Sequence, residues 1–193
     1  MSKVGAIILA AGGSSRFGKA KQLVEIDGKS LLHRVVDAAT NAGCSPIVVV
    51  LGSESERMQI ELSSSSVAIA RNSDWRHGIG ASIRTGVNHL VTSGDQVDAV
   101  ILLVCDQPLV DGNVIRRLIA TAGATKNQIV ASSYAGTVGV PALFGRSFFD
   151  ELLQLSDDRG AKPLILSNRD HTALVPFPEG EIDIDTVEDW DKL

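Results

Sequence analysis

Short apolar runs, each followed by an amphipathic segment, set the first two thirds of this chain. "VGAIILA", "PIVVVLG", "VAIARN" and "DAVILLVCD" place apolar residues at consecutive positions, so both faces of the strands they form must be covered. Between them, "SLLHRVVDAATNAG", "ESERMQIEL", "GASIRTGVNHLV" and "GNVIRRLIATAG" carry helical spacing. Buried strands alternating with amphipathic helices predict an α/β fold, a three-layer α/β/α sandwich with a mostly parallel, Rossmann-like sheet. Ser30 is placed to cap the first helix and Gly43 to end it. After "QIVASS" the alternation loosens. "YAGTVGVPALF" reads as a ribbon, "SFFDELLQL" as a helix and "SDDRGAKPL" as a polar loop, so the part from about residue 134 is expected to form a lobe on the same domain. With 193 residues, 44% of them hydrophobic, a single domain spanning 1–193 is expected.

A net charge of −5 and a pI of about 5.3 argue against broad electrostatic binding to nucleic acid or to an acidic membrane. A polyanion must therefore be gripped locally. Cys44 and Cys105 are far apart, sit in apolar contexts and form no C-x-x-C pair; they read as reduced core residues of a cytoplasmic protein. "MSKVGAIILAAGG" is too short in its apolar run to span a bilayer and leads into a glycine loop rather than a cleavage site. His33, His77, His89 and His171 lack metal-ligand spacing and read as structural.

The stretch "LAAGGSSRFGKAKQL" raises the question of a phosphate site. Gly13 to Lys19 spells G-x-x-x-x-G-K, but Ala20 stands where a Walker A loop carries the hydroxyl that holds magnesium. In a P-loop the helix also begins at once, so that its N-terminus meets the anion. Here "VEIDGK" intervenes and the helix is expected only at Ser30. A loop of roughly twenty residues in a compact domain is usually functional. Its glycines let backbone N–H groups approach a phosphate chain, while Arg16 and Lys21 supply charge at the C-terminal end of the first strand.

"LAAGGSSRFGKAKQL" resembles the signature L-A-(A/G)-G-x-S-x-R-(F/M)-G-x-x-K of the nucleotidyltransferases related to molybdenum cofactor biosynthesis, most of all the molybdenum cofactor cytidylyltransferase branch. Further stretches agree in order. "NSDWRHGIGASIRTG" is similar to the branch's N-x-x-W segment, "LLVCDQPLV" to its D-Q-P motif, "GVPALF" to its G-x-P loop, "LSDDRGAKPLI" to its G-D-x-G-A-(R/K) loop and "DIDTVEDW" to its terminal D-x-D-T-P-E-D. The resemblance implies a nucleotide-diphospho-sugar transferase type of fold. It also implies transfer of CMP from CTP to the phosphate of molybdopterin, with Mg2+ as cofactor, release of pyrophosphate, and a molybdoenzyme as a partner that receives the product.

On that resemblance, Leu9, Ala10, Ala11, Gly12, Gly13 and Ser14 lie along the nucleotide, Arg16 clamps the leaving phosphates and Lys21 neutralises the α-phosphate in the transition state. Asn72 and Ser82 fall near the base, with a helix cap as the plain alternative for Ser82; Trp75 packs on the ligand or covers the core. Asp106, at the tip of a strand, holds the metal with Asp185, which is favoured over Asp183. Gly139, Pro141, Arg159 and Lys162 are the acceptor-side residues. Two positions depart from the pattern: Val187 replaces a proline, and Asp157 replaces a glycine in the acceptor loop. The "LAAG" variant goes with CTP rather than GTP, and the Ala11 methyl is worth about 1–3 kcal/mol of discrimination.

The chemistry needs no Ser/His/Asp triad. A phosphomonoester has its second pKa at about 6, so the acceptor is already an anionic nucleophile at neutral pH. Three alternatives stand beside this reading: a P-loop NTPase; a transferase of the same fold acting on a sugar phosphate or methylerythritol phosphate; and a non-catalytic nucleotide- or cofactor-binding chaperone.

Overall fold

The apolar runs lie side by side, because a strand that is apolar on both faces is stable only with neighbours on its edges and helices on its faces. The computed structural model describes residues 3–13 and 20–184. In chain order its strands are β1 (Val4–Ala10), β2 (Glu25–Ile26), β3 (Lys29–Ser30), β4 (Ile47–Leu51), β5 (Ala68–Arg71), β6 (Ala99–Val104), β7 (Ile129–Tyr134), β8 (Thr137–Gly145) and β9 (Thr172–Pro176). The helices are α1 (Leu31–Asn41), α2 (Ser55–Glu61), α3 (Ile79–Thr92), α4 (Gly112–Thr125), α5 (Phe149–Leu153) and α6 (Lys162–Ser167). β2 and β3 pair as a small antiparallel ribbon, and the other seven strands form one sheet in the order β5-β4-β1-β6-β8-β7-β9.

Within that sheet only β8 runs against the rest. It pairs antiparallel with both β6 and β7, while β1 pairs parallel with β4 and β6, β4 with β5, and β7 with β9. Register puts Ile7 between Val48 and Leu102, all three without exposed surface. Alternation then divides the core. Ala6, Ile8, Val49, Leu51, Ile101 and Leu103 face Leu32, Val35 and Val36 of α1 and Ile115 and Leu118 of α4. Ile7, Val48, Val50 and Leu102 face Ile83, Val87 and Leu90 of α3, with Leu152 of α5 and Ile165 of α6 beyond. The expected three-layer α/β/α sandwich is thus present.

Local signals act as expected at α1, where the Ser30 hydroxyl accepts a hydrogen bond from the His33 amide at 3.1 Å and Gly43 follows the helix at φ +81°. In the C-terminal part, β7, β8 and β9 continue the main sheet beyond β6. "SFFDELLQL" is a one-turn 3-10 segment followed by a short α5, and the polar loop ends at Ala161, after which α6 begins at Lys162 with a proline in its first turn. His33 pairs with Glu61 at 2.8 Å and so links α1 to α2. No helix among the described residues is long and apolar enough to cross a membrane.

Both cysteines are buried and free. Burial pushes the Cys44 thiol up to about 11; burial also pushes Cys105 far up, with the Asp106 carboxylate adding to the rise and Lys21 opposing it. At pH 8 both stay protonated in the fold, and neither should react with a thiol reagent such as DTNB until the chain is unfolded in denaturant. Rapid labelling of one thiol in the native protein would place it at the surface.

Candidate functional site

In a doubly wound sheet, ligands meet the C-terminal edge where the strand order reverses. Here the chain builds β4 and β5 on one side of β1 and then crosses to place β6 on the other, so the crevice opens between the ends of β1 and β6. Leu9 and Val104 stand opposite each other near those ends. Ala10 closes β1, and Ala11, Gly12 and Gly13 follow without regular structure. Asp106 lies two residues past the end of β6.

Lys21 reaches across this crevice. It opens a single 3-10 turn, Lys21–Leu23, and its Nζ lies 3.2 Å from Oδ2 of Asp106. Two residues that the sequence motifs assigned to separate tasks are therefore one ion pair. The lysine side chain is 15% exposed and the carboxylate 38%, so the pair is partly shielded and one carboxylate edge remains open to solvent. The sequence reading gave no role to the neighbouring Gln22. Its buried carboxamide donates to the carbonyls of Ala10 at 3.1 Å and Gly12 at 2.9 Å. That fastens the far end of the glycine loop to its start, and a glutamine directly after the signature lysine was the only signal for it.

On the β4 side, the Asn72 amide donates to the Leu51 carbonyl at 2.8 Å, and its side chain donates to the Ser82 hydroxyl at 3.0 Å. Both side chains are buried, at 5% and 4% exposure. Ser82 is not a cap: α3 begins after Gly78 without any side-chain cap. Trp75 packs over the glycine loop, where a Cβ at Gly13 would lie 2.7 Å from the indole ring, and the Arg76 guanidinium lies 4.5 Å from the centre of that ring. The indole thus covers both loop and core.

On the β6 side, the Ile184 amide donates to the Asp106 carbonyl at 2.9 Å, which seats Asp183 beside the crevice. Gln107 donates to the Gly180 carbonyl at 2.7 Å. Burial raises the pKa of Tyr134, and the Asp183 and Asp106 carboxylates push it further up; its hydroxyl donates to the Val140 carbonyl at 3.2 Å. Gly139 and Pro141 lie in the part of β8 beyond its last pair with β6, Leu102 with Ala142, with the Tyr134 hydroxyl against Gly139 and the Pro141 carbonyl accepting from Ser132 at 2.7 Å. Arg159 and Lys162 are exposed, on the loop before α6 and at its first residue. Ser14, Arg16, Lys19, Asp185 and Val187 lie outside the described residues.

Carboxylate oxygens from Asp106 and Asp183 are hard donors that suit magnesium or manganese, with phosphate and water oxygens completing the shell. Among the described residues there is no group of three or more His, Cys, Asp or Glu side chains able to hold an ion alone.

A family model for the MobA-like NTP transferase domain matches residues 6–172. The bifunctional protein GlmU of Streptomyces avermitilis is 34% identical over 127 residues, 64% of this chain and 26% of that protein. Across the first GlmU relatives the chain spans 26% to 32% of their length. The purine catabolism protein PucB of Bacillus subtilis (strain 168) is 25% identical over 196 residues, which is 97% of this chain and 94% of PucB. Among solved structures, Rv0371c of Mycobacterium tuberculosis H37Rv superimposes with a TM-score of 0.83 at 27% identity, over 99% of this chain and 97% of that one. A structure of Rv0371c in complex with manganese gives 0.80 at 26% identity, over 100% and 98%. The sheet accordingly has the nucleotide-diphospho-sugar transferase architecture.

If Gln22 holds the loop, Gln22→Leu leaves two carbonyls unsatisfied and should lower stability by about 1–3 kcal/mol, read from the urea midpoint at unchanged slope. A variant as stable as the parent would show that water serves those carbonyls equally well.

Proposed function

The chain belongs to the family of MobA-like NTP transferase domains, and from that premise we propose that it transfers CMP from CTP to the phosphate of molybdopterin, releasing pyrophosphate. The observation that carries this reading is the Lys21–Asp106 pair spanning the crevice between β1 and β6, directly beside the "LAAGG" loop. A phosphate oxygen of the acceptor forms a bond to the α-phosphorus as the bond to the β-phosphate oxygen breaks. The acceptor is anionic at neutral pH, so the chain needs no general base. Its work is to position the reactants and to stabilise charge.

Ala10 to Gly13 lie along the nucleotide, and Gly12, Gly13 and Ser14 give backbone donors to the β and γ phosphates. Arg16 holds the departing pyrophosphate with a planar pair of donors. Lys21 neutralises the α-phosphate as charge builds there. Asp106 keeps that ammonium on the crevice before substrate arrives, so little side-chain ordering is left for the reaction step. Asn72 and Ser82, bonded to each other, present the base-recognition surface. Gly139, Pro141, Arg159 and Lys162 face the acceptor. Asp106 with Asp185, or with Asp183 in its stead, would hold Mg2+, which supplies positive charge between the phosphates when bound. A molybdoenzyme that receives the finished cofactor is the partner this reaction implies.

CTP with magnesium should stabilise the folded protein more than GTP does. At about 100 times Kd the gain for one site is about 2.7 kcal/mol, read as a shift in thermal unfolding. Equal or greater stabilisation by GTP would overturn the cytidylyl assignment.

Lys21 serves the transition state more than the ground state, so Lys21→Ala should cut kcat by about 100-fold or more while CTP affinity changes by less than about threefold. Pyrophosphate release and CTP titration measure the two effects separately. Loss of CTP binding with unchanged turnover per bound nucleotide would remove Lys21 from the chemical step.

A further inference from the structure

Loop 155–160 connects α5 to α6, and its ends are held by ordinary packing. Leu155 and Ala161 join the core on the α3 side of the sheet. Between them, Ser156, Asp158 and Arg159 are exposed, and nothing apolar fastens the middle of the loop. Its main side-chain anchor is an arginine. Arg84, on α3, donates one guanidinium N–H to the Leu155 carbonyl and another to Oδ1 of Asp157. A planar fork with fixed donors suits two acceptors two residues apart in a way a lysine cannot match.

The helix is shaped to receive the loop. The Gly80 amide, one of the donors left over in the first turn of α3, gives its hydrogen to the Asp157 carbonyl at 2.9 Å. At Gly80 a Cβ would lie 2.7 Å from the Arg159 carbonyl and closer still to that of Ser156, so the loop backbone occupies space that any other residue would fill. His77 adds its Nδ1 at 3.9 Å from the second Asp157 oxygen. Arg84 also holds the Asp157 carboxyl below the usual carboxylate range. Asp157 stands where the resembled pattern carries glycine, so this anchor belongs to the chain's own variation rather than to the pattern.

We propose that Arg84 is a positioning residue: by strapping Asp157 and Leu155 to α3, it sets the acceptor-side loop at a fixed distance from the Asn72–Ser82 pair and so governs binding of the phosphorylated acceptor. The inference rests on the transferase reading above. Its geometry is short-ranged: Ser82 and Arg84 are two residues apart on one helix, the first bonded to Asn72 and the second to the loop that carries Arg159 and leads to Lys162. One rigid helix therefore spans from the base side to the acceptor side. Because Arg84 and Asp157 are 31% and 47% exposed, breaking their pair should cost little global stability.

The test uses the whole chain and the variants Arg84→Ala, Arg84→Lys, Asp157→Ala and the double alanine variant. Hydrogen exchange of residues 155–161 reads the strap without any turnover; thermal unfolding checks the fold. Pyrophosphate release with CTP and molybdopterin reads the consequence. In Arg84→Ala the loop should exchange faster at a nearly unchanged melting temperature, and KM for molybdopterin should rise about tenfold while KM for CTP stays within about twofold. Arg84→Lys should recover part of the loss, and the double variant should be no worse than the more affected single one. Unchanged exchange in Arg84→Ala overturns the strap. Faster exchange with an unmoved acceptor KM, or equal rises in both KM values, overturns the positioning role. A wild-type protein that turns over no nucleotide with molybdopterin sinks the transferase reading instead, and the exchange measurement still decides the strap.

Discussion

β1 is paired on both edges, with β4 on one side and β6 on the other, and this double pairing is the constraint on which the rest of the molecule depends. A strand with neighbours on both edges and helices on both faces has only its two ends left to offer. Its seven residues are all buried, so the chain that leaves its C-terminal end must turn where β4 and β6 diverge. The glycine loop, the Lys21–Asp106 pair and the Asn72–Ser82 pair all collect at that end. Lys21 can face Asp106 because the turn it opens is tied back by Gln22 to the strand end it came from.

The central architecture was legible because its signals are local. Consecutive apolar residues made β1, β4 and β6 readable one at a time, and the Ser30 cap marked the start of α1 just where a long loop had to end. The place of the ribbon strand β8 in the sheet was not legible, for the opposite reason. Whether an apolar ribbon closes on itself or inserts between two distant strands is decided by edge pairing, and Leu102 with Ala142 are forty residues apart in the register that settles it. The stretch read as polar loop takes in the first half of α6, Lys162 to Leu164, because a six-residue helix carries too little periodicity to show.

The site divides along the same line. The motifs brought Lys21, Asp106, Asn72 and Ser82 to attention as single residues, and only the fold shows that they stand as two bonded pairs. Gln22 and Arg84 escaped notice because their roles lie in backbone carbonyls they reach, at Ala10, Gly12 and Leu155, and no spacing in the sequence announces such a bond. Asp157 was visible as a departure from pattern, but its meaning depends on a helix more than seventy residues earlier.

The orientation of β1 also sorts the surface of the molecule into a working edge and a quiet one. Lys3 precedes β1 at the edge opposite the crevice, where its amide bonds the Asp98 carboxylate at 2.7 Å and its ammonium lies 3.4 Å from Asp95. Seven extended residues, roughly 23 Å at about 3.3 Å each, separate that point from the glycine loop. A fluorophore or surface tether attached at Lys3 therefore starts a full strand length from the crevice, which makes that edge the natural place to immobilise the protein with the crevice facing solution.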